Sequence, residues 1–348
     1  MKKMNKILSV MMAAAMTVSM TACGGDTASD NTSASADNSA ATTESAAAGS
    51  TDGQKYTIGI LQQLEHPALD AASQGFEDAL TELLGADNVT FDLQNAQGEQ
   101  ANCATIANNF VAGNYDLILA NATPALQAAA AGTADIPILG TSVTEYGVAL
   151  DLDDFDGTVG NNISGTSDLA PLEDQAAMLN ELFPDAKNVG LVYCSAEANS
   201  QYQIDVIKEE LEKLNYTCTA YSFVDSNDIA SVVQSAVNDN DVLYVPTDNT
   251  AASNTEVINN IAGEAGIPII AGEAGICKGC GVATLSISYY DLGYQTGKMA
   301  YEILVNGADP STMEVEFAPA VTKQYNPDIC EKLGITVPDD YEALDMSE

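Results

Sequence analysis

The sequence predicts an α/β protein with two doubly wound parallel-sheet lobes joined by a hinge. Short apolar runs, which suit buried strands, alternate along the chain with longer segments whose apolar residues recur at helical spacing. This alternation occurs in two rounds, and residues 161–167 between them are rich in Asn, Ser and Gly. Strands that alternate with helices form parallel sheets covered on both faces, so two rounds predict two sheets and hence two lobes.

The first round of strands and helices begins at Tyr56. Residues 56–61 form a short apolar strand, and Pro67 begins a helix at the position where proline's missing N–H costs nothing. Gly85 ends that helix, as glycine commonly does. The other predicted elements of this round are strands over 89–93, 116–120 and 136–139, a helix over 99–113, and a helix that begins at Pro124 with Thr123 as its cap.

The second round gives the second lobe. Its predicted strands cover 189–193, 217–223, 242–245 and 268–270, with apolar residues at helical spacing within 204–214 and 229–237. Residues 161–167 are expected to cross between the lobes, a helix over 291–305 to return to the first lobe, and the tail from about 308 to return to the second. We therefore expect lobe 1 to comprise residues 56–163 and 287–307, and lobe 2 to comprise residues 164–286 and 308–342.

The N-terminal segment predicts secretion and a lipid anchor. Three lysines precede an apolar run over residues 7–20, which is shorter than the ~20 residues of a spanning helix, so residues 1–22 are predicted to be a signal peptide. Residues 20–23, Met-Thr-Ala-Cys, resemble a bacterial lipobox, which implies cleavage before Cys23 and a diacylglyceryl group on its sulfur. An ordinary secreted protein with an incidental cysteine is the alternative. The anchored protein would work on the outer face of the bacterial cytoplasmic membrane.

Composition limits the partners. Residues 23–55 predict a flexible tether, because residues 26–54 contain no aromatic residue and no Leu, Ile or Val. Without residues 1–22 the chain keeps 8 basic and 50 acidic residues, a net charge of −42. Nucleic acid and anionic lipid surfaces are poor partners for such a field, so only the lipid holds the protein to the membrane. The chain also has no arginine, so an anionic ligand must be held by hydroxyls and helix N-termini.

No cofactor and no metal are expected. Cys277 and Cys280 have a C-x-x-C spacing, but they are predicted to lie in a turn, with a small disulfide as one possibility. A bridge between Cys194 and Cys218 is also left open. A zinc site would need further ligands, and the single histidine, His66, is far from the cysteine pair in sequence.

Polar side chains follow the predicted strands, where open parallel sheets bind their ligands. The first lobe supplies the hydroxyls of Thr123 and Ser142, and the second lobe supplies acids and amides, Glu197, Asn199, Asp248 and Asn249. This division suits an amino acid, because hydroxyls and positive helix ends hold an α-carboxylate. Glu197 or Asp248 would then accept hydrogen bonds from the ammonium. Each of these residues alone is also a common helix cap, and only their convergence at one cleft favours a ligand site.

Five ordered strings are specific enough to compare with a known family. They are HPALD at 66–70, ATPAL at 122–126, SAEANS at 195–200, PTDN at 246–249 and YYDLGYQTGKMAYEIL at 289–304. In this order they resemble the ABC-transporter substrate-binding family that includes tryptophan- and tyrosine-binding lipoproteins, over residues 56 to about 338. The resemblance implies a type I periplasmic-binding-protein fold, with three crossings and hinge closure around a small ligand. It also implies a monomer that delivers its ligand to a membrane permease driven by a cytoplasmic ATPase.

The resemblance also implies ligand contacts. Matched positions are Thr123, Ser142, Glu197, Asn199, Asp248 and Asn249. His66 is expected to shape the cleft wall, cap a helix or contact a ligand ring, because no nucleophile is tied to it for catalysis. The favoured ligand, an aromatic amino acid (tryptophan, tyrosine or phenylalanine), rests on the resemblance alone. Residues 144–146, Thr-Glu-Tyr, depart from relatives that often carry Asp-Pro, which leaves the shape of the side-chain pocket open.

We expect binding and closure to be the whole mechanism, without catalysis. Within binding proteins, the alternative ligands are a branched-chain amino acid, a nucleoside or a sugar. From another class, a secreted hydrolase could use Glu197 or Glu273 in an acid–base pair across the cleft. A two-lobed sensor without transport is the third alternative.

Overall fold

The computed structural model describes residues 53–318 and 320–346. The predicted signal peptide and Cys23 lie outside these residues. None of the helices within the described ranges is both long enough and apolar enough to cross a bilayer.

The first round of alternation forms five strands. In chain order the elements are β1 (Tyr56–Gln62), α1 (Pro67–Leu84), β2 (Val89–Asn95), α2 (Gln100–Ala112), β3 (Leu117–Asn121), α3 (Thr123–Gly132), β4 (Ile138–Val143), α4 (Tyr146–Leu150) and β5 (Ile163–Ser167). Pro67 lies in the first turn of α1, and Gly85 follows its last residue with a φ of 85°, which a side chain would disfavour.

The second round and the tail follow. The elements are α5 (Leu172–Leu182), β6 (Asn188–Cys194), α6 (Ala198–Lys213), β7 (Thr217–Phe223), α7 (Ile229–Asp239), β8 (Val242–Val245), α8 (Asn249–Ala252), α9 (Thr255–Ala265), β9 (Ile269–Ala271), α10 (Ala274–Cys280) and β10 (Ala283–Ser286). The tail adds α11 (Tyr289–Asn306), β11 (Glu316–Phe317), β12 (Thr322–Tyr325), α12 (Pro327–Leu333) and β13 (Glu342–Ala343), with a 3₁₀ turn over Pro310–Thr312.

The strands form two sheets. The first has the order β11-β5-β4-β3-β1-β2 and is parallel throughout. The second has the order β13-β12-β10-β9-β8-β6-β7, with β12 antiparallel to β10 and the other pairs parallel. Buried apolar clusters cover both faces of each sheet. The predicted α/β class with two doubly wound parallel sheets is confirmed.

Residues 161–167 differ from the expected loop, because Ile163–Ser167 form a buried strand between β4 and β11. The polar side chains of this strand find partners that are distant in sequence. Ser164 Oγ donates to the carbonyl oxygen of Met313 at 3.0 Å, and Thr166 Oγ1 lies 2.8 Å from Thr296 Oγ1. These partners satisfy hydroxyls that would otherwise be costly to bury, so a sequence typical of loops is stable as a strand.

The chain crosses between the two sheets three times. The crossings lie between β5 and α5, between β10 and α11, and between β11 and β12. After the second crossing, α11 packs against α1 of the first sheet so closely that two glycines are required. A Cβ on Gly293 would lie 1.9 Å from the carbonyl oxygen of Ala72, and one on Gly75 would lie 2.1 Å from that of Tyr290.

The C-x-x-C pair lies in helix α10 rather than in the predicted turn. Glu273 caps this helix, and both Cys277 and Cys280 are buried against the second sheet. The six cysteines in the described part of the chain are all free thiols, so neither this pair nor Cys194 and Cys218 forms a bridge. Burial raises the pKa of the Cys277 thiol well above its usual range, which makes it unreactive.

Candidate ligand-binding site

The candidate site lies between the two sheets, at the carboxyl ends of their strands. His66 precedes α1 beside the first sheet, and Asn249 begins α8 after β8 of the second sheet. Nε2 of His66 lies 3.2 Å from Oδ1 of Asn249, and both side chains are buried. A hydrogen bond therefore joins residues of the two sheets directly across the cleft.

Two buried hydroxyls lie at the edge of the first sheet. Thr123 begins α3, just after β3, and Ser142 lies near the end of β4, the strand that pairs with β3. Thr123 is 2% exposed and Ser142 is 5% exposed, and neither hydroxyl has a hydrogen-bond partner among the described residues. Thr123 does not cap α3, because Ala122 occupies the cap position. Both hydroxyls are therefore available to a polar ligand group.

The backbone is strained next to both hydroxyls. Ala122 has a φ of 90° and Ser142 a φ of 54°, values that residues with a side chain rarely adopt. The pairing of β4 with β5 also shifts register between Gly140 and Val143. Such strained backbone conformations persist only where the contacts of the surrounding structure hold the residue in place. They are common at ligand-binding sites.

Glu197 fixes the tautomer of His66 through Asn249. Oε2 of Glu197 accepts from N and Nδ2 of Asn249 at 3.1 and 2.6 Å, and Oε1 accepts from N and Oγ1 of Thr250 at 2.9 and 2.7 Å. Because Nδ2 of Asn249 donates to Glu197, Oδ1 of Asn249 accepts the proton of His66 Nε2. Nδ1 of His66 is then a buried acceptor without a partner among the described residues. Burial lowers the pKa of His66, which keeps the ring neutral at pH 7.

Both carboxylate oxygens of Asp248 accept hydrogen bonds from backbone N–H groups of the second lobe. Its Oδ2 accepts from the backbone N–H of Cys194 at 2.6 Å, and its Oδ1 accepts from that of Ala251 at 2.8 Å, which caps α8. Burial, together with the nearby charge of Glu197, raises the pKa of Asp248. Asn199 donates through Nδ2 to the carbonyl oxygen of Thr247 at 3.1 Å, and its Oδ1 has no partner in the described part of the chain.

Asp168 is a further candidate residue that the sequence patterns do not reveal, because it follows the strand that resembles a loop. It lies just beyond β5 and is 4% exposed. The hydroxyl of Tyr289, the first residue of α11, donates to its Oδ2 at 2.9 Å, and the side chain of Thr144 is a second hydrogen-bonding neighbour of this carboxyl group. Burial raises the pKa of Asp168 to about 6, against the lowering effect of the Tyr289 hydrogen bond.

A small cavity of about 10 Å³ brings some of these groups together, but Thr123 and Ser142 do not line it. His66, Asp168, Asp248, Glu273 and Tyr289 line it, and it is the size of one water molecule. Burial raises the pKa of Glu273 to about 7. Among the described residues that line this cavity, three are acids and the only base is the neutral His66. Larger clefts of about 280 and 300 Å³ also lie between the sheets.

Glu197 and Glu273 each use both carboxylate oxygens to hold backbone N–H groups, Glu197 at α8 and Glu273 at Gly275 and Ile276 of α10. Within residues 53–318 and 320–346, no group of His, Cys, Asp and Glu side chains could hold a metal ion.

These features define a two-lobed protein that holds a small polar ligand in a cleft between parallel sheets. The family model described as ABC transporter substrate binding protein matches residues 57–345. The chain belongs to this family. Its members bind solutes outside the cytoplasm and are not enzymes, so this chain is the extracytoplasmic solute-binding component of an ABC importer, and its partners are a small molecule and a transporter permease.

Individual relatives are similar over nearly the whole folded part. The chain is 37% identical to the tyrosine-binding protein of Clostridioides difficile (strain R20291) over 309 residues, which cover 87% of this chain and 85% of that protein. It is 33% identical to an ABC domain from Streptococcus pneumoniae solved in complex with L-Trp, with a TM-score of 0.79 over 82% of this chain and 97% of that one. It is 38% identical to the ligand-free, open structure of a substrate-binding protein with adhesive properties from Clostridium difficile, with a TM-score of 0.65 over 84% of this chain and 100% of that one.

The two solved relatives differ in their structural similarity to this chain. The open structure has the higher sequence identity but the lower TM-score, 0.65 against 0.79 for the L-Trp complex. The direct hydrogen bond between His66 and Asn249 agrees with a closed cleft.

Proposed function

We propose that this chain captures an aromatic amino acid, tryptophan, tyrosine or phenylalanine, and passes it to the permease of its importer. Two relatives support this ligand class, since one is named a tyrosine-binding protein and another was solved with L-Trp. The observation that carries the proposal is the pair of buried hydroxyls, Thr123 and Ser142, that have no partner among the described residues and lie at one edge of the first sheet.

The first lobe would hold the α-carboxylate. The chain has no arginine, so the carboxylate must be held by hydroxyls and by the positive end of a helix. Thr123 and Ser142 supply the hydroxyls, and the N-terminus of the ten-residue helix α3 lies beside them. The surrounding structure holds Ala122 and Ser142 in backbone conformations that residues with a side chain rarely adopt, which would preorganise this edge of the site.

The second lobe would complete the site when the cleft closes. His66, Glu197, Asn199, Asp248 and Asn249 remain our candidates for the rest of the ligand shell. His66 and Asn199 each carry an acceptor atom without a partner among the described residues. Glu197 and Asp248 have all their oxygens engaged, so we assign them to shaping the wall and holding Asn249 in place.

Closure is the mechanism that couples binding to transport. A ligand that contacts both lobes stabilises the closed state by its differential affinity for that state. The His66–Asn249 hydrogen bond already bridges the lobes, so the ligand adds to a contact that closure itself forms. The closed form then presents a single surface to the permease.

The attachment and organisation of the chain complete the proposal. We propose that residues 1–22 are removed, that Cys23 carries the lipid, that residues 23–55 form the tether, and that the protein is a monomer. We propose the predicted lobes, lobe 1 as residues 56–163 and 287–307 and lobe 2 as residues 164–286 and 308–342, with one change for two short segments that pair in the first sheet. Because β5 and β11 pair within the first sheet, residues 164–167 and 316–317 are better assigned to lobe 1.

The test is thermal unfolding of the purified protein with each of the twenty amino acids, with nucleosides and with simple sugars. A ligand at ~100 times its Kd stabilises the folded state by ~2.7 kcal/mol, which gives a clear shift in Tm. A shift confined to tryptophan, tyrosine or phenylalanine supports the proposal. A shift only with a branched-chain amino acid, a nucleoside or a sugar would keep the family and discard the ligand.

A further inference from the structure

We infer that the hydroxyl group of Tyr146 positions Ser142 for ligand binding, because it anchors the β-bulge of β4 in which Ser142 lies. The inference rests on the proposed function, since Ser142 supplies one of the two hydroxyls assigned there to the α-carboxylate. Tyr146 is then a positioning residue, which affects binding through Ser142.

The first step is the bulge itself. After Gly140, which pairs with Gly165, strand β4 has one residue more than β5 before the pairing resumes at Val143. Ser142 and its preceding neighbour therefore lie opposite Thr166 alone. An extra residue of this kind interrupts the ladder and changes the direction of a side chain. Ser142 has a left-handed φ of 54°, so the bulge determines where its hydroxyl lies.

The second step is the contact that Tyr146 makes at the bulge. Its hydroxyl donates to the carbonyl oxygen of Thr166 at 3.0 Å. Because a bulge interrupts the ladder, a buried carbonyl group opposite it needs another donor, and Tyr146 supplies one. A Cβ on Gly140 or on Gly165 would lie 2.4 Å from the hydroxyl oxygen of Tyr146, so a side chain at either position would displace it. The paired glycines and the tyrosine thus fit one another where the bulge begins.

The third step is the rigidity of Tyr146. The carboxylate of Glu145 caps α4 by accepting from the backbone N–H groups of Gly147 and Val148, which fixes Tyr146 as the first residue of this helix. The Tyr146 side chain is buried, and its ring stacks on Phe155 with the ring centroids 6.3 Å apart. Burial raises the pKa of Tyr146 well above its ordinary value, so the hydroxyl remains a hydrogen-bond donor at neutral pH.

The two hydroxyls of the ligand site have separate supports. Thr123 begins α3, and its position follows from β3 and from Ala122, which precedes it. Ser142 depends on the bulge that Tyr146 anchors. Loss of the Tyr146 hydroxyl should therefore act on binding through Ser142 and leave the contribution of Thr123 unchanged.

The experiment is a pair of double-mutant cycles on the purified full chain, with Kd measured by calorimetry for tryptophan, tyrosine and phenylalanine. Tyr146→Phe removes only the hydroxyl and should raise Kd for the tightest of these ligands at least about fivefold. In the Ser142→Ala background the same change should raise Kd less than about twofold, because the group that Tyr146 positions is already absent. In the Thr123→Val background the full increase should remain. Equal effects of Tyr146→Phe in all three backgrounds would overturn the inference.

A second readout needs no ligand. The NMR chemical shifts of the Cα and Cβ carbons of Ser142 depend on its backbone conformation, and they should change in Tyr146→Phe. Tyr244→Phe is the control, because it also removes a buried hydroxyl, one that donates to Gln175 in the second lobe. This control should lower Tm but leave both the Ser142 shifts and Kd as in wild type. Unchanged Ser142 shifts in Tyr146→Phe would contradict the positioning role whatever the ligand is.

A second variant serves if Tyr146→Phe does not fold. Gly140→Ala keeps the Tyr146 hydroxyl but places a methyl group 2.4 Å from its oxygen, so the hydroxyl must move. The same changes in the Ser142 shifts and the same dependence on the Ser142 background are expected. A Gly140→Ala protein with wild-type shifts and wild-type Kd would overturn the inference.

The outcomes also separate the inference from the proposed function. Wild type that binds an aromatic amino acid, with additive effects of Tyr146→Phe and Ser142→Ala on Kd, overturns the positioning role alone. Wild type that binds no aromatic amino acid overturns the proposed function, and the Ser142 shifts then decide whether Tyr146 anchors the bulge.

Discussion

Nε2 of His66 and Oδ1 of Asn249 lie 3.2 Å apart and join the two lobes by a buried hydrogen bond. The two residues are 183 positions apart in sequence, and each lies at the start of a helix that follows a strand. The contact therefore exists only when the cleft is closed. Its free energy stabilises the closed state relative to the open one.

Removing this contact should favour the open state. His66→Phe keeps a ring but loses both nitrogens, so the ligand-free protein should show a larger radius of gyration by small-angle scattering. Kd for the amino acid should rise at least about fivefold, since a hydrogen bond contributes roughly 1 kcal/mol. Tyr294→Phe, which removes a surface hydrogen bond to Glu82, serves as the control. An unchanged radius together with an unchanged Kd would show that the contact does not govern closure.

The two hydroxyls at the first lobe should affect binding without supporting the fold. Thr123→Val and Ser142→Ala each remove a buried hydroxyl that has no partner among the described residues, so the free energy of unfolding should stay the same or rise slightly. Kd should rise about tenfold, measured by calorimetry. Thr166→Val is the matched control, because its hydroxyl is bonded to Thr296, and it should lower the free energy of unfolding by about 1–2 kcal/mol. A large loss of stability in Thr123→Val would argue against a ligand role.

In contrast to the two hydroxyls, Asp248 should contribute mainly to the free energy of unfolding. Asp248→Ala leaves the backbone N–H groups of Cys194 and Ala251 without acceptors and should lower the free energy of unfolding by about 2–3 kcal/mol in urea. Asp228→Ala is the control, because Asp228 precedes α7 without a side-chain cap hydrogen bond and should change stability by less than about 0.5 kcal/mol. Equal effects of the two variants would contradict the assigned capping role.

Glu273 should make stability depend on pH. Burial raises its pKa in the folded protein to about 7, above its ordinary value of 4.5, so the folded state binds the proton more tightly than the unfolded state. The stabilising effect is complete below pH 4.5 and is lost as the pH rises through about 7, by up to about 3 kcal/mol. Glu273→Gln lacks this titration, so the stability of wild type relative to the variant should fall between pH 4.5 and 7 in urea unfolding. A difference that does not change with pH would exclude a raised pKa.

The contact between α1 and α11 should not tolerate a single methyl group. Gly293→Ala places a Cβ 1.9 Å from the carbonyl oxygen of Ala72, so the helices must separate, and the free energy of unfolding should fall by about 2–3 kcal/mol. In Gly132→Ala the new Cβ meets Ala107 at 3.5 Å, an ordinary contact, and stability should be unchanged or slightly higher. Urea unfolding of both variants tests this, and a neutral Gly293→Ala would show that the helices can shift.

The strands and most helices could be predicted because their signals are local. The predicted strand over 242–245 matches β8, since a central parallel strand covered on both faces is an apolar run, and all four of its residues are buried. Strand β5 was missed because the hydroxyls of Ser164 and Thr166 find partners at Met313 and Thr296, which no local pattern shows. Asp168 was missed because it directly follows this strand, and only the carboxyl ends of predicted strands were searched for ligand-binding residues. The helix at Cys277 was mistaken for a turn because its glycines outweighed the cap that Glu273 provides.

The three crossings have a consequence for biosynthesis. Helix α11 and strand β11, which the first sheet needs, are encoded in residues 289–317, close to the end of the chain. A nascent chain that has produced only residues 56–167 has neither the helix that covers α1 nor the threonine that satisfies Thr166. The first lobe can therefore complete its folding only after nearly all of the protein has been made.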